Sequence, residues 1–242
     1  MFQIELAGLV IHIENRFENV RRLCREYITE EDRPADIIVS VSEEELQREV
    51  EKAPDCFFGD GYGEEVVLYE KISNALPAFD AFVMHSSVVE VDGKAYCFAA
   101  ESGTGKSTHT RYWKEVLGDR VTVINGDKPI YRFEGDRLMA YGTPWCGKEN
   151  WQTRTSAPLQ ALCLLERGEE NAIFPVDPFE LLNEMMHHFH LPGEGQVDML
   201  KLIELIDRMV MTVPAYRLRC RNDVSAAETA IRYFGLEREK ES

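Results

Sequence analysis

The chain has 242 residues, 44% of them hydrophobic, enough to bury a sizeable core in one or two domains. Its 43 acidic and 27 basic side chains leave a formal net charge of -16, which repels a phosphate backbone and excludes nucleic acid as a partner. The longest apolar runs, residues 95–100 and 161–165, are too short to span a bilayer, and Met1-Phe2-Gln3-Ile4-Glu5 lacks the basic start of a signal peptide, so no membrane partner is expected and the cytoplasm is the expected location.

Six cysteines are scattered without a CxxC pair, which removes a zinc spacing or a disulfide framework and leaves reduced, mostly structural thiols. Residues 1–14 alternate apolar and polar side chains like a strand, and residues 19–28 carry helical spacing. Residues 36–42 read as strand again, with Ser42 placed to cap a helix from Glu43. The glycines of 59–63 mark a break, after which 65–76 has the apolar spacing of a helix running toward Pro77. The expected division is an N-terminal α/β segment, 1–77, beside a core and C-terminal helices, 78–242.

Residues 83–99 read as two strands joined by Asp92-Gly93, a dipeptide that tolerates the positive φ of a tight hairpin. The second strand runs into Ala100-Glu101-Ser102-Gly103-Thr104-Gly105-Lys106-Ser107. A helix over 107–117, a strand over 121–125 and a hairpin of 130–133 with 137–141, turning at Gly135-Asp136, follow. Farther on, 158–165 reads as an apolar strand. Helices over 179–188, 196–211 and 225–234 flank a strand over 215–220.

The eight-residue segment has the spacing of a phosphate-binding loop between strand and helix, with Ala100 where the pattern begins with Gly. Backbone N–H groups of such a turn face the phosphates of a nucleoside triphosphate, which makes Ser102, Gly103, Thr104, Gly105, Lys106, Ser107 and Thr108 the expected nucleotide-binding residues. Lys106 would reach the β- and γ-phosphates and Ser107 would ligate magnesium, so ATP and Mg²⁺ are the expected cofactors.

His85-Ser86-Ser87-Val88-Val89-Glu90-Val91, leading through the hairpin to Ser102-Gly103-Thr104-Gly105-Lys106-Ser107, resembles the HPr kinase/phosphorylase family and, more distantly, the ATP-dependent phosphoenolpyruvate carboxykinases. The resemblance spans residues 84–168. It implies an α/β fold of the phosphoenolpyruvate carboxykinase/HPr kinase type, mostly β around the phosphate loop, with flanking helices and a small N-terminal α/β segment. It also implies a serine acceptor, a homo-oligomer, and a role for His85 in phosphate binding or proton movement; a structural histidine in a strand is the alternative. Of the acidic pair the resemblance implies after the next strand, Gly126-Asp127 retains only Asp127. Asp127 would then orient or deprotonate the acceptor, ligate magnesium, or do both. The HPr-binding signature is not matched at residues 141–150.

Residues 142–155 mix Pro144, Gly147, two tryptophans and several charges, the composition of a functional loop. Glu149 is a candidate magnesium ligand, and Lys148 and Arg154 are candidate phosphate or substrate contacts. Arg167 is a candidate arginine finger, with a surface turn as the alternative. His187, His188 and His190 do not share one helix face and read as a helix end.

The leading expectation is therefore an ATP-dependent kinase acting on a protein, peptide or small-molecule hydroxyl. The alternatives are a carboxykinase-like small-molecule enzyme, which needs a basic pocket not assembled from these residues, and a non-catalytic ATP sensor, for which Gly126 is the argument.

Overall fold

The computed structural model describes residues 1–31, 33–52, 59–101, 103–190 and 199–237. Residues 1–14 form a hairpin rather than one strand. β1 (Phe2–Leu6) and β2 (Leu9–Glu14) pair antiparallel because Ala7 and Gly8 both adopt positive φ, 51° and 74°, and reverse the chain. β3 (Ile37–Ser40) adds parallel to β2, and this sheet packs with α1 (Glu18–Leu23), α2 (Glu43–Lys52) and α3 (Asp60–Ala75).

Ser42 caps α2 in a reciprocal box. Its Oγ accepts from the Glu45 N–H at 3.2 Å while its own N–H donates to Glu45 Oε2 at 2.9 Å. The expected break at 59–63 is corrected: Gly59 precedes α3, whereas Gly61 and Gly63 lie inside it. A Cβ on Gly61 would come within 2.7 Å of the Asn19 side chain, and one on Gly63 within 2.8 Å of Leu46 Cδ1. Here glycine lets α3 close against α1 and α2, which outweighs its poor helix propensity.

The larger sheet contains, in spatial order, β4 (Ala81–Val83), β8 (Ile130–Glu134), β9 (Arg137–Tyr141), β10 (Ser156–Arg167), β6 (Lys94–Ala99), β5 (Ser87–Val91) and β7 (Val121–Asn125). β12 (Ala215–Cys220) pairs with β10 and carries β11 (Ala172–Pro175), a strand that the sequence reading omitted. The 83–99 region thus holds two strands and the end of a third, with His85 in the break between β4 and β5. Asp92 and Gly93, at φ 52° and 77°, turn β5 into β6 as expected.

β10 curls the sheet. Its residues Ser156, Ala157 and Pro158 pair antiparallel with β9, whereas from Leu159 onward it pairs parallel with β6, with a register shift between Leu159 and Ala161. The result is the expected mixed α/β architecture, with a curled central sheet and flanking helices. α4 (Lys106–Leu117) and α7 (Val224–Tyr233) cover one face, and α5 (Pro178–Met185) and α6 (Met199–Thr212) the other. The expected helix start at 196–198 lies outside the described residues.

The period of two along β6 serves both layers. Ala95, Cys97 and Ala99 pack toward α5 and α6, while Tyr96 and Phe98 pack against Trp113 of α4. A third cluster joins the N-terminal sheet and α3 to Ala81, Val83 and Ile130 of the larger sheet. Among the described residues no helix is long and apolar enough to cross a membrane.

Candidate functional site

The loop from Ala100 to Gly105 leaves the buried end of β6 and opens α4. Gly103 and Gly105 hold φ of 80° and 116°, values that an L side chain adopts only with strain. Gly105 caps α4, and its carbonyl accepts from the His109 N–H at 2.9 Å. The unpaired N–H groups of the first helical turn, together with the helix dipole, suit an anion at this end.

A cleft of about 510 Å³ lies over the loop, and it brings together Gly103, Gly105, Lys106, Ser107, Thr108, His85, Asp127, Lys148 and Glu149. Thr104 faces the neighbouring cavity instead, its N–H bonded to the Glu101 carbonyl at 3.1 Å. The expected contact from Ser102 lies outside the described residues.

Three side chains meet at the cleft floor. His85 Nε2 is 3.1 Å from Lys106 Nζ, His85 Nδ1 is 3.1 Å from Asp127 Oδ1, and Lys106 Nζ is 3.7 Å from the same oxygen. An ammonium only donates, so Nε2 accepts from Lys106 and the ring carries its proton on Nδ1, from which it donates to Asp127. Backbone bonds hold His85 in place: its N–H donates to the His188 carbonyl at 2.6 Å, and the next N–H, of Ser86, donates to the Asp127 carbonyl at 3.0 Å.

Burial pulls the Lys106 ammonium below its ordinary pKa, and Asp127 opposes this only in part. Burial also pushes the Asp127 carboxyl up, but the hydrogen bond from His85 and the surrounding charges, Lys106 and Lys128 among them, outweigh it and hold Asp127 below its ordinary value. The site is therefore an ion pair bridged by an imidazole, with a carboxylate that stays ionised.

Asn125, the fully buried last residue of β7, fixes the Asp127 backbone. Its Oδ1 accepts from the N–H groups of Asp127 and Lys128, both at 2.8 Å, while its Nδ2 donates to the Thr143 carbonyl and Oγ1. Gly126 donates to the Trp151 carbonyl at 2.8 Å, and a Cβ on it would sit 3.2 Å from the Cys146 carbonyl. That backbone crowding is a physical reason for the missing acid at 126. A Cβ on Gly147, whose φ is 77°, would lie 3.1 Å from the Asp127 Cβ and 3.4 Å from its Cγ, so glycine leaves that side of the carboxylate uncrowded.

Arg167 donates through Nη2 to the Gly103 carbonyl at 2.5 Å, which braces the loop from the end of β10. It lines a second cavity of about 520 Å³ with Glu101, Glu184, His187 and His188. Burial, the largest cause, with Lys106 adding to it, lowers the His188 pKa to about 4. The histidines lie in the 3-10 turn that ends α5, and among the described residues no three His, Cys, Asp or Glu side chains are grouped to hold a metal ion.

Arg154 is not brought to the cleft. It pairs with Glu5 at 2.7 Å and donates to the Glu26 carbonyl, tying 142–155 to the N-terminal hairpin. Two residues near Asp127 escaped the sequence reading: Lys128, whose signal was its place beside Asp127, and Tyr69 on α3, which lies far away in sequence and carried none.

A model of the SynChlorMet cassette protein ScmC family matches residues 66–226, more than half of the chain. No curated protein matches the chain. Among solved structures, the chain is similar to the Hpr(Ser) kinase/phosphatase from Coxiella burnetii at 9% identity and a TM-score of 0.38, over 64% of this chain and 96% of that one. A likeness of that size carries no argument about activity.

Proposed function

This chain belongs to the SynChlorMet cassette protein ScmC family, and we propose that it is an ATP- and magnesium-dependent kinase that transfers the γ-phosphoryl group to a hydroxyl, a serine in the first instance, of a protein, peptide or small molecule. The observation that carries this reading is the convergence of Lys106, His85 and Asp127 beneath a loop with phosphate-binding spacing.

The acceptor oxygen attacks the γ-phosphorus as the bond from that phosphorus to the β–γ bridging oxygen breaks, and ADP leaves. The acceptor proton passes to Asp127 Oδ1. Lys106, drawn from Asp127 to the phosphates, offsets charge on the transferring group, and its departure makes Asp127 a stronger acceptor of that proton. His85 orients both partners through its two ring nitrogens. Bound magnesium supplies neutralisation of the phosphate charge. The hydroxyl of Ser107 and the carboxylates of Asp127 and Glu149 offer the hard oxygen donors it prefers, in the small number it takes when phosphates complete its shell.

Incubation with magnesium and γ-labelled ATP, alone and with cell extract, tests this directly. Label should enter a protein or small-molecule fraction with wild type, and Lys106→Ala should lower both triphosphate binding and labelling. Tight ATP binding with no label in any fraction would instead favour the non-catalytic sensor, the reading that Gly126 favours by leaving a single acid at this strand end.

A further inference from the structure

Asp127 stands between two cavities of different character. One is the phosphate cleft, with its glycines and ions. The other, of about 320 Å³, opens beside Asp127 between α3 and the segment from Pro144 to Asn150. Tyr62, Val66 and Tyr69 form its α3 wall, and Pro144, Trp145 and Cys146 face them. Gly147 and Lys148 line both cavities with Asp127, so the two adjoin along a shared border.

The aromatic wall is held in place. The Lys128 ammonium lies 4.2 Å from the centre of the Tyr69 ring, Trp145 packs on that ring at 5.5 Å, and His190 meets it edge-on at 5.3 Å. Trp145 Nε1 is buried without a hydrogen-bond partner among the described residues, a costly donor to leave unmatched.

We infer that this cavity between α3 and residues 144–150 is the acceptor subsite and that it selects a hydroxyl carried beside a bulky apolar group. The inference rests on the kinase reading and extends it to the class of acceptor. A hydroxyl placed at the border that Asp127, Gly147 and Lys148 share meets the carboxylate from the side and leaves its oxygen open to the phosphate cleft. Its carrier then fills the space lined by Tyr62, Val66 and Trp145, and buries apolar surface that a glycine-flanked serine does not have. The N-terminal part of the chain thereby contributes to specificity through α3. A peptide segment and a small aromatic alcohol both have this chemistry.

The test uses the full chain with N-acetyl-seryl-4-fluorophenylalanine amide, N-acetyl-seryl-glycine amide and 4-fluorobenzyl alcohol as probes. Binding is read as broadening of the fluorine resonance, and transfer as incorporation of label from γ-labelled ATP. The fluorinated peptide should broaden with wild type, and Val66→Phe, which fills the pocket, should abolish the broadening. Tyr62→Ala, at a half-exposed position, should weaken it while leaving ATP binding and the thermal midpoint unchanged. Transfer to the aromatic peptide should exceed transfer to the glycine peptide by about tenfold or more in kcat/KM, the scale expected for one buried apolar group.

Broadening of the alcohol alone would identify a small-molecule acceptor and support the same subsite. An absence of broadening for both fluorinated probes, or broadening that both variants leave intact, would overturn the inference even if another acceptor is labelled. Variant-sensitive binding without transfer would uphold the pocket and refute the kinase.

Discussion

Two polar clusters lie side by side at the end of β7, and they are built in opposite ways. Around Asn125 the groups are neutral and buried, and both ends of the amide are matched, to Thr143 on one side and to the Asp127 and Lys128 N–H groups on the other. Around Asp127 two charged groups are bridged by an imidazole, with side chains that remain 25% exposed for Asp127, 11% for Lys106 and 44% for His85. A buried polar group whose bonds are complete serves the scaffold. A charged group whose partners can exchange it for a ligand has free energy left for chemistry. The first cluster positions the second: Asn125 holds the backbone on which the Asp127 carboxylate is carried.

The comparison breaks most visibly if Asp127→Asn does not separate transfer from folding. The substitution keeps the shape of the side chain and removes its capacity to take a proton, so phosphoryl transfer should fall by about a hundredfold or more while triphosphate binding persists. Single-turnover labelling beside a nucleotide titration measures both. Transfer that survives in this variant would remove Asp127 from the proposed mechanism.

Asn125→Ala should act in the converse way. It strips the acceptor from two N–H groups in a buried turn and should destabilise the fold by about 2–4 kcal/mol, read as a lower denaturant midpoint. An unchanged midpoint would mean that water replaces the amide and that the two clusters are less distinct than their bonding suggests.

The smallest effect is in the pH dependence, and it sharpens the contrast because only the charged cluster titrates. The native pKa of Asp127 lies below its ordinary 3.8, so its contribution to stability is present above that value and is lost as pH falls through the native one. Lys106 has the opposite sign: with its native pKa below 10.5, its burial as a cation lowers stability until pH rises past the native value. Denaturation of the metal-free protein from about pH 3 to pH 7 should therefore show the gap between wild type and Asp127→Asn narrowing toward the acid end. A constant gap would contradict the ion pairing at the cleft floor.

Much of the local structure was legible because the signals act over a few residues. Ser42 and Glu45 close a capping box within one turn, Asp92-Gly93 accepts the φ values of a hairpin, and the spacing from Gly103 to Ser107 marks a loop that opens a helix. The errors have two different causes. Gly61 and Gly63 look like breakers along the chain, yet each leaves room for a side chain from a different helix, a demand that spacing does not encode. The positive φ of Ala7, a residue with no special preference for it, hid the turn between β1 and β2.

What the sequence determined by itself is the chemistry on offer: a phosphate-loop spacing, a single acid at Asp127 after the next strand, a histidine upstream and a charge balance hostile to nucleic acid. Tertiary structure decided which of these residues meet. The sheet order brings β5, β6 and β7 together, so that His85, Lys106 and Asp127 share one cleft floor, while Arg154 is turned away to Glu5 and α3 supplies Tyr69 to the cavity beside Asp127. Helix caps and hairpin turns are set by neighbours in the chain. Encounters across a sheet depend on pairing choices made by the whole core, which residue spacing does not carry.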